Sequence, residues 1–295
     1  MATHLKPERL LSRQFPAIEH SYTRRDTALY ALGLGLGADP VDQRQLRYVY
    51  EGIDGQSLSA MPTMANVLAY PGFWARDPDT GIDWKRLVHA EQEIILHAPL
   101  PACGSVVGQN RVSGLWDRGE KKGALLQQER KIRDAGNNSL LATVTQLSLL
   151  RGDGNFGPGG SEGAPPVAHP IPERAPDAVC DLPTLSQAAL VYRLSGDLNP
   201  LHADPQVASA AGFDRPILHG MATMGIAAHA VIRQLLDYDA ARITRMRVRF
   251  TAVVYPGDTL RTEIWKDGNH ISLRTIALER QAVVLNNCHI ELSPY

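Results

Sequence analysis

The stretch YRLSGDLNPLH, residues 192–202, places a carboxylate, an amide and an imidazole within six residues. Asp197 and His202 are five positions apart, and the Asn-Pro pair between them favours an extended or turned backbone over a helix. A loop of this kind can direct both side chains toward one water molecule. The same residue types also build tight turns, because Asp and Asn side chains bond to nearby backbone groups. Spacing alone therefore leaves a turn and an acid–base site open.

A long apolar segment, Ile217–Leu236, follows this stretch and contains His219-Gly220 near its start. Its apolar residues recur at helical spacing but occupy nearly the whole circumference, which predicts a helix covered on most sides by a curved antiparallel sheet. The first N–H groups of a helix lack partners within it, so the N–H of Gly220 can bind an oxyanion. An acid–base pair beside such a donor predicts chemistry at a carbonyl compound.

Strand patterns follow this helix, and the N-terminal half repeats the arrangement more weakly. A helix-like stretch at Thr27–Leu36 comes first there, and strand candidates follow it. Pro and Gly turns end one strand and begin the next in both halves, as in a duplicated unit. The strand candidates are Val88–His97, Ser105–Trp116, Gly123–Ile132, Ser139–Leu150, Ile243–Val254, Thr259–Lys266, His270–Glu279 and Gln281–Leu292.

Residues 192–202, together with Pro216-Ile217-Leu218-His219-Gly220, resemble the two ordered motifs of the MaoC-like dehydratases, which include the (R)-specific type-two enoyl-CoA hydratases. The resemblance implies an α+β double hot-dog fold, with two antiparallel sheets each wrapped around a long helix. It also implies that the C-terminal half alone keeps the catalytic string. The expected reaction is the reversible hydration of trans-2-enoyl-CoA to (R)-3-hydroxyacyl-CoA by a hydro-lyase that needs no metal or redox cofactor.

The resemblance assigns acid–base catalysis to Asp197 and His202, water positioning to Asn199 and the oxyanion hole to the Gly220 N–H. Histidine exchanges protons near its ordinary pKa of about 6.5, whereas an aspartic acid needs burial to act as an acid at neutral pH. Either residue can therefore be the base, and the division of roles between Asp197 and His202 stays open.

Further residues are expected to hold the acyl-CoA. His89-Ala90-Glu91-Gln92 is similar to a His-Gly-Glu-Gln string of the family, and Asp117-Arg118-Gly119 is similar to an Asp-Lys-Gly string. Arg118 keeps the positive charge and can bind a CoA phosphate. Ala90 adds a Cβ where the family has glycine. The acyl-CoA-binding residues implied in this way are His89, Ala90, Arg118 and Phe250.

The organisation of the chain is indicated by a break at residues 152–183, where six glycines and seven prolines occur in thirty-two residues. This composition predicts an extended linker without regular structure. The expected units are therefore an N-terminal hot-dog at 1–151 for substrate and CoA accommodation, the linker at 152–183, and a catalytic C-terminal hot-dog at 184–295.

The composition limits the classes of binding partner and the compartment that we expect for this chain. The chain has 295 residues, 30 basic and 31 acidic, so its charge does not favour nucleic acid or an anionic membrane. Cys103, Cys180 and Cys288 form no CxxC pair, which indicates free thiols in a reducing compartment and no metal site. Without an apolar leader we expect a cytoplasmic protein. Exposed sheet edges favour a homodimer. The remaining histidines, treated as surface or core residues, are His20, His97, His169, His229, His270 and His289.

Two other functions remain open at this stage. The same family contains dehydratases of branched or dicarboxylic acyl-CoAs of the mesaconyl type, and an additional cation in the pocket would indicate such a substrate. The chain could also bind an acyl thioester without catalysis. The complete set of Asp197, Asn199 and His202 argues against a binding protein, which gains little from an acid–base pair.

Overall fold

The computed structural model describes residues 5–52 and 58–294, and within these ranges it contains six α-helices and ten β-strands. The helices are α1 Pro7–Leu11, α2 Arg24–Leu32, α3 Gln43–Leu46, α4 Ala188–Tyr192, α5 Pro205–Ala210 and α6 Gly220–Leu235. The strands are β1 Ile18–Tyr22, β2 Leu87–Leu96, β3 Gly104–Asp117, β4 Ala124–Asp134, β5 Leu140–Leu150, β6 Ala178–Pro183, β7 Ile243–Phe250, β8 Thr259–Asp267, β9 His270–Ala277 and β10 Ala282–Leu292.

All ten described strands belong to one antiparallel sheet in the order β1-β3-β4-β5-β2-β7-β10-β9-β8-β6. The two halves meet where β2 pairs with β7, from Glu91 opposite Arg249 to Ile95 opposite Arg245. The expectation of two separate sheets is therefore not confirmed. The two halves form one sheet because β2 and β7 are the edge strands that face each other. They complete each other's backbone hydrogen bonds, and their side chains form ion pairs.

The strand order is symmetric about this junction. Moving outward, the N-terminal half contributes β2, β5, β4, β3 and β1, and the C-terminal half contributes β7, β10, β9, β8 and β6. Each half therefore has the same strand order, starting from its own first long strand. The duplicated pattern predicted from the sequence is confirmed by this topology, and the eight predicted strands correspond to β2–β5 and β7–β10.

Helix α6 lies in the main core, and residues of both halves pack around it. From Met221 to Ile232 every residue of α6 is buried. This confirms the prediction made from the apolar residues that occupy nearly the whole circumference of the helix. The contact with the N-terminal half is close, because a Cβ added at Gly225 would lie 2.5 Å from a Cδ of Leu34. Glycine at 225 therefore lets the irregular segment after α2 approach the helix axis.

The N-terminal half differs from the expected pattern because no second long helix occurs in its described residues. Helix α2 has nine residues, capped by Thr23 and Asp26, whereas α6 has sixteen. After α2 the chain continues mainly through turns and short 3-10 helices such as Pro62–Asn66. Frequent Gly and Pro residues between 33 and 86 disfavour a continuous helix. Described residues of this segment, such as Met64 and Leu68, pack in the main core with α6.

The Gly- and Pro-rich segment is only partly irregular. Residues 178–183, expected to be part of a linker, form β6 and pair with β8 from Ala178 opposite Ile264 to Pro183 opposite Thr259. Pro183 is tolerated because β6 is an edge strand and the proline is its last residue. In the ranges that the structure covers, no helix has the length and apolar character needed to cross a membrane.

Candidate functional site

The loop that carries Asp197 forms a tight turn and also holds the acid–base residues, so both interpretations of the sequence apply to it. Asp197 Oδ1 accepts the N–H of Asn199 at 3.3 Å, and Asn199 Oδ1 accepts the N–H of Leu201 at 3.1 Å. Asn199 thereby caps the 3-10 turn Pro200–His202 and is exposed. Its side-chain NH₂ group is the part left to hold a water molecule. The turn thus sets the spacing between Asp197 and His202.

His202 is buried, with 8% of its surface exposed, and its tautomer is determined by one backbone contact. Nδ1 lies 2.8 Å from the carbonyl oxygen of Ile217, which can only accept a hydrogen bond. Nδ1 therefore carries the proton, and Nε2 of the neutral ring has a free lone pair. Burial lowers the pKa of His202 below its usual value of 6.5, although the Ile217 carbonyl and Asp197 act in the opposite direction. His202 is thus a neutral proton acceptor at neutral pH.

His219 is a site residue that the sequence did not identify. Its ring stacks on His202 with 3.7 Å between centroids, and its Nε2 donates to the backbone oxygen of Asp197 at 3.1 Å. Burial, with the nearby His202, lowers the pKa of His219 to about 3. The neutral ring supports His202 on one side and anchors the Asp197 loop. The signal available in the sequence was its position directly before Gly220.

Helix α6 begins at Gly220 beside these rings. His219 is the N-cap residue but its side chain does not cap the helix, so the Gly220 N–H has no partner among the described residues. The ring of Phe250 covers the other side, since a Cβ added at Gly220 would lie 3.0 Å from Phe250 Cε1. The structure therefore leaves the Gly220 N–H free directly after His219, with Phe250 packed against the Cα side of Gly220.

His89 packs against Phe250 and is the next residue of the site. Its ring lies 4.8 Å from that of Phe250 between centroids, and its Nε2 contacts Gln92 Oε1 at 2.9 Å. Gln92 in turn donates to Asn66 Oδ1 at 2.9 Å. Burial lowers the pKa of His89 to about 4. Ala90 is the extra residue of a β-bulge, because β2 shifts register against β5 between His89 and Glu91. The bulge turns His89 toward the site.

Tyr70 and Arg130 form a polar wall nearby. Burial, with a contribution from Asp197, raises the pKa of Tyr70 to about 12, so its hydroxyl stays protonated. The buried Arg130 guanidinium lies 5.6 Å from the Tyr70 ring centre and donates to the backbone oxygens of Ala65 and Asn66. A small cavity lined by Tyr70, Arg130 and Met221 separates this wall from α6.

One residue of the predicted acyl-CoA-binding set, Arg118, lies outside the cluster. Arg118 is exposed in the turn between β3 and β4, where Lys121 and Lys122 are also exposed. Glu91, from the string expected to hold the thioester, is bound instead by Arg247 and Arg249 at the junction of the two halves. The structure brings together Asp197, His202, Gly220, His89 and Phe250.

The cluster also has the composition of a metal site. One ligand atom each from Asp197, His202 and His219 lies within 4.8 Å of the other two. The backbone oxygens of Ile217 and Asp197 engage one nitrogen of each histidine, and the second nitrogen of each ring is left as a proton acceptor. With the Gly220 N–H, the arrangement has the groups needed to bind a water molecule, abstract a proton and stabilise a negatively charged oxygen.

Known proteins show the same organisation. Residues 20–152 match the family described as MFE-2 hydratase 2 N-terminal domain, and residues 167–287 match the MaoC like domain. The enoyl-CoA hydratase ChsH3 of Mycobacterium tuberculosis is 40% identical, with 96% of this chain and 97% of that protein aligned. A crystal structure of a MaoC-like dehydratase from Phytophthora capsici is 30% identical, with a TM-score of 0.85 over 99% of this chain and 100% of that one.

A second solved structure bears on the fold alone. It is a conserved hypothetical protein of Mycobacterium tuberculosis described as having a double hotdog fold, which is 18% identical and has a TM-score of 0.59 over 97% of each chain. The hot-dog fold predicted from the sequence is confirmed by this similarity and by the sheet wrapped over α6. The chain therefore belongs to the MaoC-like family, as a member with an MFE-2 hydratase 2 N-terminal domain followed by a MaoC-like domain.

Proposed function

We propose that the protein catalyses the reversible addition of water to a trans-2-enoyl-CoA, giving an (R)-3-hydroxyacyl-CoA. The observation that carries the proposal is the free Nε2 lone pair of the buried His202, next to the Asp197 carboxylate and the start of α6. The name enoyl-CoA hydratase of a relative at 40% identity over nearly the whole chain supports the same reaction.

In the proposed mechanism a water molecule lies between Asp197 and His202, held also by the side-chain NH₂ group of Asn199. As the water oxygen bonds to C3, one of its protons passes to His202 Nε2. The Asp197–His202 pair then returns one proton to C2, so the net change is one water added. No electron leaves the substrate, and the reaction requires neither a metal nor a redox cofactor.

The thioester oxygen gains negative charge when water attacks C3. We assign its stabilisation to the Gly220 N–H, which adds the positive end of the α6 dipole. His89 and Phe250 would enclose the thioester, with Ala90 supporting the bulge. The exposed turn at residues 118–122 carries Arg118, Lys121 and Lys122 with one carboxylate, Glu120, and its net positive charge suits the CoA phosphates.

The proposed reaction is tested by incubating the pure protein with crotonyl-CoA and with a long-chain trans-2-enoyl-CoA. Loss of the enoyl absorbance measures hydration, and an (R)-specific 3-hydroxyacyl-CoA dehydrogenase identifies the product. We expect turnover with an (R) product. An (S) product contradicts the stereochemistry, and acyl-CoA binding without turnover supports a non-catalytic binding protein instead.

The pH dependence of kcat/KM should have an acidic limb below pH 6.5. The folded pKa of His202 is lowered by burial, so the ring remains a neutral base at pH values where a free histidine is half protonated. Activity is lost as pH falls through the folded pKa. The measurement is a pH profile from 4.5 to 8, with samples returned to pH 7.5 to separate titration from unfolding. An acidic limb above pH 7 would contradict the assignment.

Replacing Gly220 by Ala should lower kcat about tenfold. The added Cβ meets Phe250 Cε1 at 3.0 Å, so the ring or the helix start must shift by a few tenths of an ångström. The N–H donor is retained but displaced, and the effect is smaller than the ~10²–10³ lost when an oxyanion donor is removed. Steady-state kinetics on crotonyl-CoA measure the change. Gly136→Ala in an exposed turn is the control, and equal kcat values for both variants would contradict the expected displacement of the helix start.

A second candidate substrate is a dicarboxylic enoyl-CoA of the mesaconyl type. The observation that favours it is Arg130, a buried cation lining the cavity between Tyr70 and Met221. A terminal carboxylate could pair with this guanidinium. Comparing kcat/KM for mesaconyl-CoA and crotonyl-CoA distinguishes the two, since only the dicarboxylic substrate should lose activity in Arg130→Met.

We also propose the domain organisation expected from the sequence, with units at 1–151 and 184–295 joined by residues 152–183, whose last six residues form β6 and pair with the C-terminal half. The family matches at 20–152 and 167–287 support a division in this region. The edge strands β1 and β6 offer unpaired backbone groups that support a homodimer. Free thiols at Cys103, Cys180 and Cys288 support a reducing compartment such as the cytoplasm.

A further inference from the structure

Three histidines and a glutamate meet on the outer face of the sheet, away from α6. His270 begins β9, and His289 and Glu291 lie on β10. Glu291 is directly opposite His270, and His289 is opposite Ser272. Their neighbours Ile271 and Ile290 belong to the core around α6, so strand alternation puts His270, His289 and Glu291 on the other face.

The distances between these groups are short. His270 Nδ1 is 3.1 Å from His289 Nε2, and His289 Nδ1 is 3.7 Å from Glu291 Oε1. One ligand atom of each residue lies within 4.8 Å of those of the other two. Two nitrogens on one tetrahedral zinc ion are about 3.3 Å apart, given Zn–N bonds of about 2.0–2.1 Å. The two short contacts use different nitrogens of His289, and only one of these can bind the ion. The ring of His289 or the side chain of Glu291 must therefore rotate for the three groups to converge on one ion.

The linker reaches this surface and adds a third imidazole. His169 stacks on His289 with 4.4 Å between centroids, and its Nε2 contacts Ser272 Oγ at 2.7 Å. The backbone oxygen of His169 accepts a hydrogen bond from Asn287 Nδ2 at 2.7 Å. His169 is thus held at both its main chain and its ring, and it limits the movement of His289.

The charges around the cluster are partly balanced. The guanidinium of Arg245 contacts Glu291 but is also bound by Glu93, which balances its charge. Imidazole and carboxylate ligands together suit Zn²⁺ and related divalent ions.

We propose that His270, His289 and Glu291 bind a divalent transition-metal ion such as Zn²⁺, with solvent completing the coordination and His169 as a positioning residue. The site lies on the opposite face of the sheet from α6 and is separate from the candidate catalytic cluster. By ordering His289 together with His169, the ion would strengthen the attachment of the linker to the C-terminal half.

Titration of tag-free protein with CoCl₂ tests the proposal, because tetrahedral Co²⁺ absorbs visible light, and calorimetry with ZnCl₂ gives the affinity. We expect one site in the unmodified protein. Metal affinity should fall at least about 100-fold in the His270→Gln, His289→Gln double variant. It should fall about tenfold in His169→Ala, because residues that orient a metal ligand typically contribute ~10–100-fold to metal affinity. His97→Gln, on another exposed strand end, should bind normally.

The catalytic cluster is the main competitor for the ion, so His202→Ala is measured in parallel. Retention of the site in His202→Ala and its loss in the His270→Gln, His289→Gln variant supports the proposal. Loss in His202→Ala alone assigns the ion to the Asp197, His202 and His219 cluster and overturns it, as does failure of the unmodified protein to bind Co²⁺ or Zn²⁺. Circular dichroism confirms that each variant is folded.

Discussion

Asp197→Asn is expected to lower kcat for hydration of crotonyl-CoA by about 10²–10⁴-fold, the range that one acid–base group contributes. Asn keeps the size of the side chain and can still accept the Asn199 N–H, so the turn is preserved. What is lost is the charge beside His202 and the ability to exchange a proton. KM should change little, because the carboxylate acts on water and not on the acyl chain.

The control for Asp197→Asn is Asp214→Asn, which makes the same chemical change at an exposed position on the segment between α5 and α6. We expect this variant to retain full activity. His202→Ala should lose activity to a similar extent as Asp197→Asn, and the double variant should lose little more, since groups that act as a unit are not additive. Additive losses would instead show that Asp197 and His202 act in separate steps.

The sequence predicted the eight long strands and α6 because each has a strong local pattern. Period-two alternation with Pro and Gly turns marked the strands, and a long apolar run marked α6. Short elements such as β1 and β6 were not predicted. Their form depends on pairing with β3 and β8, and the composition of residues 178–183 favoured an irregular linker over a strand.

Part of the candidate site was also predicted from a local sequence pattern. Asp197, Asn199, His202 and Gly220 are close in sequence and follow a recognisable motif. His219 was not identified as a site residue, because its stacking on His202 depends on how the loop folds back onto the start of α6. The cluster of His169, His270 and His289 requires strand register and linker docking, which no local pattern contains.

The junction between the halves depends on a carboxylate for which the sequence predicted no role of its own. Glu91 is buried, with 5% of its side chain exposed, and receives both Arg247 and Arg249 from β7. Arg247 Nε donates to Oε2 and Arg249 Nε donates to Oε1, each at 2.9 Å. One carboxylate thus holds two positive charges of the other half of the chain.

Glu91→Gln should therefore reduce the free energy of unfolding by about 3 kcal/mol. Removing one partner of a buried ion pair costs about 3–5 kcal/mol, because the remaining charge is left without compensation. We expect the lower end, since 19% of the Arg247 side chain and 39% of the Arg249 side chain reach solvent, which screens them. Urea unfolding, followed by fluorescence and circular dichroism, measures the change.

Glu93→Gln is the matched control, two residues along the same strand. Glu93 also pairs with an arginine of β7, but Arg245 is 38% exposed and keeps Glu291 as a second partner. Its loss should reduce stability by no more than about 1 kcal/mol. Equal effects of the two variants would show that burial of Glu91 does not matter. A large effect of Glu91→Gln alone would identify the β2–β7 junction as the contact through which each half stabilises the other.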